Sequence, residues 1–163
     1  MTIRTATYDD LATIVAIYNE TIPGRMVTAD TEEVTVADKE AWFLSHSINR
    51  PIFVYEQEGK VLAWISYKSF YGRPAYDGTV EVSIYITASA QGKGLGKQLL
   101  TFAETHASTL KIKVLLAFIF SHNLPSIKLF NLFNYKVWGE LPNVAIMDEK
   151  PYSLTILGKH LDS

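Results

Sequence analysis

Between Thr79 and Ile86 the chain alternates strictly, Val80, Val82, Ile84 and Ile86 against Thr79, Glu81, Ser83 and Tyr85. A period of two predicts a strand with one face in the core, and here the other face carries an acid, a hydroxyl and a phenol. The alternation stops at Gln91-Gly92-Lys93-Gly94-Leu95-Gly96. A helical stripe of Leu95, Leu99, Ala103 and Leu110 follows, with Leu100 and Ala107 beside it.

The same test places the remaining elements. Residues 2–6 read as a short strand. Thr7 with Asp10 resembles a capping box, and Leu11, Ile14, Val15, Tyr18 and Ile22 form a helical stripe that Pro23-Gly24 ends. Residues 23–34 have no period and read as a loop. Thr35 with Asp38 offers a second cap, for a helix through Trp42 and Phe43 to about Ile48. Strands are expected at Ile52 to Gln57 and Val61 to Phe70 around a Glu58-Gly59 turn, and Tyr71 to Gly78 is a loop. Lys113 to Phe120 is nearly all apolar, as in a strand buried on both faces. Asn123 and Pro125 start a short helix in which Leu129, Phe130 and Phe133 face inward, and Asn134 stops it in the left-handed conformation. Tyr135 to Leu141 and Pro151 to Leu157 are the last strands. The order β-α-α-β-β-β-α-β-α-β-β predicts one α/β (α+β) domain over residues 1–163, with helices packed on a mixed sheet.

Composition narrows the chemistry. A net charge of −2 without a basic run argues against nucleic acid as partner. The absence of cysteine removes disulfides, thiolate nucleophiles and cysteine metal sites, and fits a reducing compartment. No apolar run approaches the ~20 residues of a membrane span, and the first residues lack a signal-peptide core. The expectation is a cytoplasmic protein without membrane partners. The four histidines, at 46, 106, 122 and 160, show no ligand spacing, so no metal is expected.

A strand, a glycine-rich turn and a helix N-terminus form an anion site, with phosphate as the usual guest. A Walker A loop does not fit: Gly92 to Gly96 is one residue short, and Gln98 stands where Ser or Thr should be. The dinucleotide fingerprint fails too, because the spacing here is G-x-G-x-G. The pattern that fits is [QR]-x-x-G-x-[GA], in Gln91-Gly92-Lys93-Gly94-Leu95-Gly96.

At these residues, together with Asn123-x-x-Ser126 and the Leu129-Phe130-x-x-Phe133-Asn134-Tyr135 ending, the sequence resembles the GNAT superfamily of acetyl-CoA-dependent N-acetyltransferases. The resemblance spans nearly the whole chain and implies a mixed sheet of about six to seven strands flanked by about four helices. Within that superfamily the chain is similar to the phosphinothricin (methionine sulfoximine or sulfone) acetyltransferase group. Ile17-Tyr18-Asn19-Glu20, Trp42-Phe43, Arg73-Pro74-Ala75-Tyr76, Thr79-Val80-Glu81, Ser83-Ile84-Tyr85-Ile86 and Trp138-Gly139-Glu140-Leu141 carry this finer likeness.

The resemblance implies acetyl-CoA as cosubstrate, without a metal, and a small amino-acid-like amine as acceptor. Glu81 is then the candidate base. Gln91, Gly92, Lys93, Gly94, Leu95, Gly96 and Lys97 would hold the pyrophosphate, backbone groups of Ile84, Tyr85 and Ile86 the pantetheine arm, and Asn123 with Ser126 would stand beside it. Asn19, Glu20, Arg73 and Tyr76 are the candidate acceptor contacts, and a homodimer is a family-level expectation. Two departures stand out. Phe130 occupies a position where many members carry a tyrosine that protonates the leaving thiolate, which leaves Tyr85, a water or direct thiolate departure. Val82 stands where the phosphinothricin group usually has histidine. Rival readings are a polyamine, an aminoglycoside or a protein N-terminus as acceptor, and a non-catalytic acyl-CoA-binding module.

Overall fold

The computed structural model describes residues 2–161. Its elements follow the expected order: β1 (Thr2–Thr5), α1 (Leu11–Glu20), α2 (Val36–Leu44), β2 (Ile52–Gln57), β3 (Lys60–Ser69), β4 (Thr79–Ile86), α3 (Leu95–Thr109), β5 (Val114–Phe120), α4 (Leu124–Leu132), β6 (Lys136–Met147) and β7 (Lys150–His160). The seven strands make one mixed sheet, ordered β1-β2-β3-β4-β5-β7-β6. All neighbours are antiparallel except β4 and β5, which run parallel.

Strand alternation divides the interior in two. Ala63, Ile65 and Tyr67 of β3 and Val80 and Val82 of β4 meet the Leu95, Leu99, Ala103, Ala107 stripe of α3 and Phe130 of α4. Alanine at 103 and 107 lets α3 lie close to the sheet, where the Tyr67 hydroxyl donates to the Ala103 carbonyl at 2.7 Å. The opposite face of β2 and β3 presents Ile52, Val54 and Trp64 to Ile14, Ile17, Tyr18 and Ile22. There the Trp64 indole N–H donates to the Ile14 carbonyl at 3.1 Å and fixes α1 on the sheet. Glu81, Ser83 and Tyr85 therefore lie on the side of α1 and α2.

Several boundaries differ from the sequence pattern. The Thr7–Asp10 capping box belongs to a short 3-10 turn before α1, where Asp10 also receives Arg4 at 2.8 Å. The Arg4 guanidinium holds the Asp10 carboxyl below the usual carboxylate range. α1 ends at Glu20 and α2 at Leu44, each before the predicted stop. β6 runs to Met147, well past Leu141. Pro142 and Asn143 hide its second half, and the sheet absorbs them in a register shift between Leu141 and Ala145, on an edge strand where a proline costs no ladder bond.

A further shift between Val137 and Gly139 leaves Trp138 as the extra residue, and its indole covers Gly158 of β7. A Cβ at Gly158 would lie 2.0 Å from Trp138 Cε3. Gly158→Ala is expected to lower unfolding free energy in urea by about 1–3 kcal/mol, the usual cost of overpacking. Adding Trp138→Ala should recover part of that loss. Wild-type stability in the single variant would contradict the packing described.

Candidate active site

β4 and β5 pair only over Thr79↔Val114, Val80↔Leu115 and Glu81↔Leu116. Beyond Glu81 they part, although β4 stays bonded to β3 and β5 to β7 along their lengths. The gap is a cleft of about 600 Å³. Val82 to Ile86 form one wall, Ala117 to Ile119 the other, and Leu129 and Phe130 of α4 also line it. Backbone groups on the parted edges lack a strand partner, and such groups inside a protein call for one.

The mouth of the cleft is the glycine turn. Gly92 and Gly94 have φ of 76° and 78°, with open space where a side chain would stand. Gly94 is the N-cap of α3, so the N–H groups of Leu95, Gly96 and Lys97 in its first turn have no helical acceptor. Gly96 serves helix packing as well, because a Cβ there would come within 3.2 Å of Leu129 Cδ2, and glycine lets α3 and α4 approach. Gln91 donates from Nε2 to the Ile86 carbonyl at 3.2 Å and ties the turn to β4. Gln91, Gly92, Gly94, Gly96 and Lys97 line the cleft. Lys93 is exposed outside it, and the Leu95 side chain is buried beneath the turn. Buried Asn123 accepts from the Ser126 N–H at 3.3 Å, capping α4, and both residues face the cleft.

Glu81 is the last residue of β4 paired to β5. Its carboxyl is half-buried, and no hydrogen bond or ion pair engages it among the described residues. Burial raises its pKa, and Lys68, its partner across β3, pulls it partly back. Tyr85 stacks on Trp64 with ring centres 4.5 Å apart and lies 5.3 Å from Tyr18. Burial pushes the Tyr85 phenol far up, and Tyr18, Glu81 and Asp30 act in the same direction. Ser83 and Tyr85 line both this cleft and a smaller cavity of about 110 Å³ under α1 and α2.

The four residues expected to meet the acceptor lie further out. The Asn19 side chain is engaged with the Val34 backbone, donating to its carbonyl at 2.9 Å and accepting from its N–H at 3.0 Å. Glu20 accepts from the Thr87 hydroxyl at 2.8 Å and the Ala88 N–H at 2.9 Å, tying the end of α1 to the start of the glycine turn. Arg73 is exposed and makes no ion pair among the described residues. Tyr76 packs with Phe70 and Tyr71, and Phe70 reaches Phe118 of β5, on the same sheet face as Glu81. Thr21, Met26 and Val27 also line the cleft, from a loop whose lack of periodicity gave no signal. That loop is strapped down by Arg25, which pairs with Asp148 at 2.8 Å, and by His122 Nε2, 2.7 Å from the Arg25 carbonyl. Among the described residues, no group of three His, Cys, Asp or Glu is placed to hold a metal, and no helix is long and apolar enough to cross a membrane.

The parting strand pair, the glycine turn and the start of α3 all lie within a stretch of sequence that matches a known family. The acetyltransferase (GNAT) family profile fits residues 13–135, and the chain belongs to that family. YwnH of Bacillus subtilis (strain 168), named provisionally as a phosphinothricin acetyltransferase, is 54% identical over 99% of each chain. The L-methionine sulfoximine/L-methionine sulfone acetyltransferase of Pseudomonas paraeruginosa is 33% identical, over 98% of this chain and 94% of its own. A Sinorhizobium meliloti phosphinothricin acetyltransferase, solved with acetyl-CoA, superposes with a TM-score of 0.90 at 26% identity, covering 98% of this chain and 88% of that one.

Gly94→Val is expected to weaken acetyl-CoA binding at least tenfold in a calorimetric titration, because a β-branched residue does not take a φ of 78° without moving the turn. Unchanged affinity would place the phosphate site elsewhere.

Proposed function

We propose that the protein transfers the acetyl group of acetyl-CoA to the amine of a small amino-acid-like acceptor, of the phosphinothricin or methionine sulfone and sulfoximine kind. The observation that carries this reading is the meeting of the cleft with the polar face of β4 at Ser83 and Tyr85, the next two residues on the same strand face as Glu81. The names of the relatives at 54% and 33% identity support the acceptor class.

The lining suits the cosubstrate. The free first-turn amides of α3 and the positive helix end suit a pyrophosphate, and Lys97 adds a charge at the cleft. The unpaired edge from Val82 to Ile86 offers N–H and C=O groups to an amide-bearing arm, as a missing strand would. Leu129 and Phe130 keep that arm from water. When bound, acetyl-CoA supplies an activated acyl carbon. Glu81 takes the proton of the acceptor ammonium, directly or through a water, so that the neutral amine can attack the thioester carbonyl. The C–N bond forms as the C–S bond breaks, and the sulfur leaves with the electron pair. Tyr85, kept protonated by burial, lines both cavities beside Ser83 and donates to that sulfur where Phe130 has no hydroxyl to offer. The second proton that the nitrogen sheds on becoming an amide replaces the one Tyr85 gives the sulfur, so that a thiol leaves and Tyr85 stays neutral. Transfer is direct, in a ternary complex, since the chain has no cysteine to carry the acyl group. The exposed Arg73 guanidinium, three residues before Tyr76, suits an anionic tail of the acceptor.

Thiol release measured with L-methionine sulfone, L-methionine sulfoximine, phosphinothricin, spermidine and an N-terminal peptide should be fastest with the first three. Preference for spermidine or the peptide would overturn the acceptor class. The base works deprotonated and its pKa is raised, so kcat/KM should fall as pH drops through a limb lying above the ordinary carboxylate range. Glu81→Gln should remove that limb and lower turnover by about 10²- to 10⁴-fold, with acetyl-CoA affinity kept. Retained turnover with the limb in place would remove Glu81 from the role.

A further inference from the structure

The cavity under α1 and α2 is walled by the rings of Tyr18, Trp42, Trp64 and Tyr85, and its polar groups include Lys39 and Ser66. Trp42 lies 5.4 Å from Trp64, and Trp64 stacks on Tyr85, so the rings form a continuous apolar wall that ends at the cleft. The Lys39 ammonium stands 4.9 Å from the centre of the Tyr18 ring and 5.8 Å from that of Trp42.

Neither polar group makes a hydrogen bond among the described residues. Lys39 makes no ion pair there either; Asp38 beside it feels its charge, and each of the nearby acids already has a hydrogen-bond partner. Asp38 closes the capping box of α2 with Thr35, Glu40 accepts from the Tyr8 hydroxyl, and Asp30 accepts from the Tyr18 hydroxyl. Ser66 is 5% exposed, and its hydroxyl has no hydrogen bond among the described residues although it borders the cavity. A hydroxyl open to the cavity and an ammonium whose contacts there are ring faces can both be engaged by one anionic ligand.

We infer that this cavity receives the carboxylate of the acceptor, with Lys39 pairing to it and the Ser66 hydroxyl donating to it. The inference deepens the acetyl-transfer reading and rests on it. In an α-amino acid the amine and the carboxylate share one carbon. A carboxylate held between Lys39 and Ser66 therefore brings the amine toward Ser83, which lines both the cavity and the cleft, and toward Glu81 one alternation further along β4. Lys39 also works against the rival acceptors. A polyamine or aminoglycoside entering here would set its own cation against the ammonium in surroundings of low dielectric, where like charges repel strongly.

The test compares L-methionine sulfone with the amine left when its carboxylate is removed. In Lys39→Met the ratio of kcat/KM for the two acceptors should fall by about ten- to a hundredfold, the worth of one charge-assisted hydrogen bond, and mostly through KM. Ser66→Ala should move the ratio the same way by less, and Lys39→Arg should recover part of it. Two of the three tryptophans line the cavity, so the sulfone should quench wild-type fluorescence saturably, and Lys39→Met should need at least tenfold more ligand. A wild-type ratio and wild-type quenching in Lys39→Met would overturn the inference while leaving the transfer reading in place. Saturable quenching that Lys39→Met weakens, with no thiol released from any acceptor, would support the anion pocket and sink the transfer reading. A wild-type protein that neither binds nor turns over the sulfone would overturn both.

Discussion

The parting of β4 from β5 after Glu81 is the constraint on which the site depends. Each strand keeps one full ladder, β4 with β3 and β5 with β7, so the sheet stays continuous at its base while its centre opens. An interior strand edge without a partner is costly because its N–H and C=O groups have left water. The fold tolerates this edge because the gap faces outward, and its floor is the last paired residue. That residue carries the unpaired, half-buried carboxyl. One geometric event thus exposes a backbone edge and sets a carboxyl at its inner end.

Burial does the electrostatic tuning. It raises the Glu81 and Tyr85 pKa values in the same direction, but the chemical consequences differ. A carboxyl raised toward neutrality becomes a better proton acceptor, whereas a phenol raised further stays a donor. Around Tyr85 that environment is made by rings, Trp64 stacked on it and Tyr18 beside it, and the Glu81 and Asp30 charges add to the effect. The loop over the cleft mouth is held by polar ties instead: Asn19 to Val34, Arg25 to Asp148 and His122 to Arg25. Substitutions in those ties should act on access to the cleft more than on the pKa values.

Much of this was legible in the sequence, because alternation and glycine spacing are local signals. The period of two in β4 placed Glu81, Ser83 and Tyr85 on one face, and the glycine turn led to a helix N-terminus with Gly92 and Gly94 in left-handed conformations. Gly96 was read as part of the same phosphate device, and its lack of a side chain also makes room for Leu129 of α4, thirty-three residues away. Asn19 and Glu20 carried the right chemistry, and only the packing shows both tying loop backbone in place. Lys39 and Ser66 gave no signal for the opposite reason. A lone lysine on an amphipathic helix and a lone serine in an apolar strand are ordinary, and the closing of α2 over β3 makes them neighbours. The second half of β6 was hidden by Pro142 and Asn143, which break the pattern but not the edge strand.

The central claim is that the open edge of β4 and the glycine turn bind acetyl-CoA as one surface. Amide hydrogen exchange with and without acetyl-CoA tests it most directly. Protection should rise together over residues 82–86 and 91–97, with little change in β1, β2 or the far ends of β6 and β7. Protection confined to other segments, or none over 82–86 at saturating ligand, would contradict the account.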